Sequence, residues 1–143
     1  MTRFTAPVAI QLFLVRNEEI LMLRRYNTGY EDGNYSVVVG HLDGNEEIRA
    51  AMIREAREEA VIEILPSDLE VVSVMHDLTD EEYVSLFLAA SKWSGEVTNM
   101  EPHKCDDLSW FDLDDLLQNT IPYVRRAIDN YRNGTGFDSL GWG

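Results

Sequence analysis

Three glutamates, Glu55, Glu58 and Glu59, follow Arg54 inside the stretch Gly40 to Ile62, GHLDGNEEIRAAMIREAREEAVI. Residues three and four apart share one face of a helix. That spacing sets the three carboxylates on one arc and Ala50, Ile53, Ala56 and Ala60 on the opposite arc, small and apolar, against a sheet. Like charges so placed repel by a few tenths of a kcal/mol per exposed pair. A divalent cation turns that cost into a gain, because magnesium takes oxygen ligands from carboxylates, waters and bound phosphate. The plain alternative is a solvated acidic face. Against it, Arg54 puts a cation inside the cluster, and Gly40 and Gly44 precede the helix. A backbone can turn sharply at such glycines and offer its amides and carbonyls to a ligand.

These residues resemble the Nudix box: Gly, five residues, Glu, seven residues, Arg-Glu, aliphatic, any, Glu-Glu, any, Gly, aliphatic. The chain supplies Gly40, Glu46, Arg54-Glu55, Ala56, Glu58-Glu59 and Ile62 in register. Val61 departs, standing where the family has glycine. A left-handed exit is costly for a β-branched residue, so the helix is expected to end differently, a turn further toward Pro66. The resemblance implies an α/β/α sandwich with a mixed sheet between helices, a single domain over 1–143. It also implies MutT-like hydrolysis of a nucleoside diphosphate linked to a group X, foremost a nucleoside triphosphate. Glu55, Glu58 and Glu59 would ligate magnesium, or manganese in its place, joined by the Gly40 carbonyl. By the same resemblance Glu55 would orient or deprotonate the water, Glu58 shares the catalytic set, Arg54 holds the glutamates, and Glu46 pairs with Arg54.

The elements that must position these groups follow from pattern. Pro7 to Arg16 is β-branched and aliphatic, a buried strand interrupted only by polar Gln11, and Ile20 to Arg25 returns as a second strand. Arg24 and Arg25 end it with charges on opposite faces, and both are candidates to meet a phosphate. After the polar loop Asn27 to Asn34, Tyr35 to Val39 reads as a short strand delivering the chain to Gly40. Asn45 reads as the helix N-cap, with Glu46 and Glu47 in the first turn. Glu70 to His76 and Tyr83 to Ala90 form a hairpin, and His76 at its strand end is an ordinary histidine. The loop Ser91 to Asp107 carries Glu101 and Asp106. Nudix proteins often draw a further carboxylate from this part of the chain, and Glu101 is preferred. Leu108 to Phe111 is a short strand, Asp112 caps a brief helix to Leu117, and Pro122 opens a last helix to Arg132. The tail keeps Phe137, Leu140 and Trp142, too apolar to stay free, and is expected to pack back on the body.

Composition sets limits. A net charge of −14 argues against a nucleic-acid backbone or an anionic membrane as partner. It also repels phosphate, so the metal and local arginines must supply attraction. Cys105 is the sole cysteine, which excludes an internal disulfide and suits a reducing compartment, read as the cytoplasm. The partner expected is a small-molecule nucleotide. A homodimer is compatible with the sequence, which is silent on assembly. Tyr30, Tyr35, Trp93 and Trp142 are the aromatic candidates for stacking on a base. Two alternatives stay open: hydrolysis of a nucleotide sugar or dinucleotide, and a catalytically silent nucleotide-sensing module.

Overall fold

The structure, a computed structural model, describes residues 2–143. Strands β1 (Val8–Arg16) and β2 (Glu19–Arg25) form a hairpin, with Val15 opposite Ile20. The expected strand over Tyr35 to Val39 is two pieces, β3 (Tyr35–Ser36) on β2 and β4 (Val38–His41) on β1. The break at Val37 lets the chain leave one partner strand for another and carries β4 through Gly40. Helix α1 (Ile48–Ala60) follows, then β5 (Glu70–Leu78), β6 (Glu82–Ala90), β7 (Cys105–Asp112), α2 (Pro122–Asn133) and β8 (Phe137–Leu140).

The sheet runs β3-β2-β1-β6-β5-β8, with β4 also on β1 and β7 also on β2. Pairs β1–β6 and β5–β8 are parallel and the others antiparallel, so the sheet is mixed. Alternation along β1 splits the core. Ile10, Leu12 and Leu14 face α1 with Met52, Ala56 and Ala60, while Phe13 faces α2 with Val124, Ala127 and Ile128. Helices therefore cover both faces, as the resemblance implies. Among the described residues no helix is long and apolar enough to cross a membrane.

Several local expectations need correction. Asn45 has φ 58°, and the N-cap is Glu47, whose carboxylate accepts the Arg49 N–H at 3.0 Å. No acidic residue lies in the first turn. Glu46 thus stays outside the helix. The Asp112–Leu117 helix is absent: Asp112 Oδ1 accepts the Asp114 N–H at 2.8 Å and closes a turn instead. Strand β7 is longer than Leu108 to Phe111 because β2 offers a partner along its whole length, and the preceding loop shortens to 91–104. The tail does pack back. β8 pairs with β5, Arg126 holds Asp138 at 2.6 and 2.8 Å, and Trp142 Nε1 donates to the His76 carbonyl at 2.9 Å.

Val61 is the sharpest correction. The helix does not run on; it ends there, with Val61 at φ 60°, ψ 33° and its N–H on the Arg57 carbonyl. The chain adopts the family's left-handed exit without the family's glycine. That conformation costs a residue with a Cβ about 1–2 kcal/mol. Val61 is 44% exposed, so little burial offsets the strain. Val61→Gly is accordingly expected to raise stability by about 0.5–1 kcal/mol, the added chain entropy of glycine taking back part of the relief. A urea midpoint that rises at constant slope supports this, and one that falls refutes it.

Candidate active site

At about 100° per residue, Glu55 and Glu59 fall within the same half-turn of α1 as Ala51, Met52, Ala56 and Ala60. Those four apolar residues are buried. The two glutamates therefore point at the sheet, among the packing residues, and are not on an opposite arc. Ala50, assigned to the apolar side, is exposed. Glu58 projects away, its side chain 56% exposed against 15% for Glu55. The three carboxylates do not converge, and among the described residues no three His, Cys, Asp or Glu already form a metal-binding group.

Gly40 explains how Glu55 lies. A Cβ built on Gly40 would fall 2.6 Å from Glu55 Oε1, and nearer still to Cγ and Cδ. The Glu55 carboxyl is thus laid across the Cα of β4. Arg54 fixes its other side: Nη1 donates to Glu55 Oε1 at 3.0 Å, while Nε and Nη2 each reach Glu46 at 3.1 Å. Nη1 also meets Glu58 Oε2 at 3.5 Å. Glu46 can take the guanidinium fork because it sits in the loop before the helix. These carboxylates hold the guanidinium pKa above its usual value, Glu46 contributing most.

Glu59 is the unusual member. Its Oε2 is buried and has no hydrogen-bond partner. Burial, then the facing Glu55 carboxylate and the charge of Glu101, push its carboxyl well above the usual range, against the pull of the Val39 backbone N–H. Glu101 arrives through loop 91–104, which clamps the end of α1. Thr98 N–H donates to the Ala60 carbonyl at 3.0 Å and Met100 N–H to that of Glu59 at 3.3 Å. Carbonyls left without helical partners are satisfied by the loop, and the loop is thereby positioned. Asp106, the other loop candidate, is instead clasped by Arg24 at 2.7 and 3.2 Å.

Arg25 goes elsewhere. Its Nε donates to the Tyr30 carbonyl at 2.6 Å and Nη2 to Thr28 Oγ1 at 3.1 Å, at the mouth of a cleft of about 570 Å³. The cleft lies on the α2 face of the sheet, floored by Gln11 and Ser85 and walled by Val39, His41, Asp77 and Tyr123. Of the aromatic candidates only Tyr30 lines it. Tyr35 is buried edge-on against Phe111, Trp93 stacks on Trp110, and Trp142 lies tilted against His76. Gln11, His41, Asp77 and Tyr123 were missed as site residues. One signal was available, since Gln11 is the polar break in an otherwise apolar strand.

A family model described as the NUDIX domain matches residues 5–131. The chain belongs to the Nudix family. A MutT Nudix hydrolase from Burkholderia pseudomallei shares 28% identity and superposes with a TM-score of 0.80, covering 88% of this chain and 98% of that one. An ADP compounds hydrolase, 18% identical with a TM-score of 0.73, shares the fold over 92% of this chain and 74% of that one. NAD-capped RNA hydrolase NudC of Pseudomonas aeruginosa (strain LESB58) is 28% identical over 122 residues, 84% of this chain. This Nudix chain spans only 42% of that curated relative's length. Within the Nudix box, Val61 in place of glycine takes a left-handed exit at the end of α1, and loop 91–104 bonds the Glu59 and Ala60 carbonyls beside it.

Proposed function

We propose that this domain is a divalent-metal-dependent hydrolase of a nucleoside diphosphate linked to a group X, foremost a nucleoside triphosphate. The observation that carries the reading is Glu59: a carboxyl with one oxygen, Oε2, buried without a hydrogen-bond partner, beside a second carboxylate and within the field of a third. A merely structural helix face gains nothing by burying such a set. The donors are all hard oxygens, which suits magnesium or manganese and not a soft metal. Glu55 and Glu59 would hold the ion, Glu58 would turn in from solvent, and the Gly40 carbonyl is a further donor. When bound, the ion supplies charge neutralisation for phosphate oxygens and lowers the pKa of water.

The chain's own residues do the rest. Arg54, bonded to both Glu46 and Glu55, holds the Glu55 carboxylate in one orientation, where it would position a water and take its proton. Gly40 leaves the room that this orientation needs. Glu101 adds negative charge beside Glu59, deepening the attraction for a cation. Arg25 at the mouth of the cleft is the arginine left to meet substrate. Arg24 is neutralised by Asp106. The buried thiol of Cys105 suits a reducing compartment, so we place the domain in the cytoplasm.

The similarity to NudC favours a second substrate class, a dinucleotide. The net charge of −14 weighs against a long RNA partner in either case. A panel of nucleoside triphosphates, nucleotide sugars and dinucleotides, assayed for phosphate or diphosphate release with magnesium and with chelator, tests the proposal. At least one should turn over, and only with metal. Binding of several without turnover of any would leave a sensing module and end the hydrolase reading.

A further inference from the structure

The cleft on the α2 face adjoins the proposed metal site through β4, where Val39 and His41 line it and Gly40 between them packs on Glu55. It is rich in hydrogen-bond acceptors. Gln11 forms its floor, 1% exposed, with Oε1 lacking any partner. The Gln11 amide meets the Tyr123 hydroxyl on its other side. Asp77, on the wall, also has an unpartnered buried oxygen, Oδ1. Glu31, Asp80 and Glu81 add three carboxylates around the opening. Arg25, facing them, already donates to the Tyr30 carbonyl and Thr28 Oγ1. Tyr30, Tyr83 and Tyr123 supply flat apolar surface between these groups. A phosphate is repelled by such a cleft; hydroxyls of Ser85 and the tyrosines can donate, but the two buried atoms left without a partner are both acceptors. A planar ring carrying N–H groups satisfies them, since a carboxylate and an amide oxygen both accept from an exocyclic amine.

We propose that this cleft seats the substrate's base and selects bases bearing an amino group, read by Asp77 and Gln11. The proposal rests on the nucleotide-hydrolase reading for the presence of a base, and adds which bases are taken. A site built to hydrogen-bond an N–H discriminates strongly against an analogue lacking it, because its buried acceptors are then left unpaired. Asp77 and Gln11 would thus determine specificity without touching the phosphates.

Binding of free nucleosides isolates this from metal and turnover. Cytidine against uridine and adenosine against inosine each exchange an exocyclic amine for a carbonyl, with the adjacent ring nitrogen gaining a hydrogen. We expect one aminated member to bind wild-type protein at least about tenfold tighter than its partner, followed by nuclear magnetic resonance shifts of cleft residues. Asp77→Asn exchanges an acceptor for an N–H donor, and the preference should shrink to within about threefold or reverse toward the carbonyl partner. Gln11→Leu should shrink it without reversal, and serves where Asp77→Asn does not fold. Equal binding within each pair, a preference untouched by both variants, or no nucleoside binding at millimolar concentration would each overturn the assignment. Failure of the hydrolase reading would show separately, as absent phosphate release.

Discussion

Gly40→Ala is expected to lower turnover by about a hundredfold or more while leaving the protein folded. The methyl group has one thing to strike, the Glu55 side chain, whose Cγ, Cδ and Oε1 occupy its space. Gly40 sits in β4 without a positive φ, so alanine introduces no backbone strain. A flexible side chain yields more readily than a strand, and Glu55 would be pushed off its seat and away from Arg54 Nη1. Misplacing a reacting group by about 1 Å can cost that factor. The stability loss should stay near 1 kcal/mol, the scale of one disturbed charge-assisted contact. Non-additivity provides the check. In a Glu55→Ala background the clash has no partner, so Gly40→Ala should cost almost nothing further. Fully additive losses would show that Gly40 matters for another reason.

Glu59→Gln should have opposite effects on stability and activity. Activity should fall by about three orders of magnitude, as when a principal group stabilising transition-state charge is removed. The metal-free protein should become more stable, by about 1–3 kcal/mol at neutral pH. The sign follows from linkage. A carboxyl whose folded pKa lies above its unfolded value destabilises the fold once pH exceeds the unfolded value, because ionising it in place is penalised. Burial and the nearby Glu55 and Glu101 raise Glu59 in this way. The variant's amide carries no charge and can donate to the Glu55 carboxylate. Its advantage should therefore vanish near pH 4, grow as pH rises, and shrink when magnesium stabilises the wild type by mass action. Thermal melts of both proteins across pH, with chelator and with magnesium, read all three trends. A metal-free variant that melts lower than wild type at pH 7 would sink the account of Glu59.

The box residues, the hairpins and most of the order of elements were legible in the amino-acid sequence, because each depends on short-range spacing. Periods of two and of about 3.6 announce strands and helices whatever surrounds them. Gly40, Arg54 and Glu55 are separated by fixed numbers of residues along one strand-loop-helix unit. Pattern also gave the last helix from Pro122 to Arg132, within one residue of its observed end at Asn133, where proline and the left-handed Gly134 act locally.

Whatever depended on a partner distant in sequence was decided by tertiary structure. Helical spacing alone could group the glutamates but could not tell which half-turn faced the sheet. Packing of Ala51, Met52, Ala56 and Ala60 chose the half-turn that turns Glu55 and Glu59, half-buried, toward the sheet and leaves Glu58 in solvent. Val61 shows the same limit. Local preference argued against φ 60°, yet loop 91–104 and Gly95 close over that turn and hold it. The Asp112 helix failed because a capping signal carries no helix of that length without an apolar face to bury. The cleft leaves a single trace in the sequence, the polar break at Gln11. Its residues come from β1, β4, β5, β6 and the start of α2, and only the sheet's pairing brings Gln11, Val39, Asp77 and Ser85 side by side. Spacing along a chain encodes what one element presents; which elements meet is settled by burial summed over the whole fold.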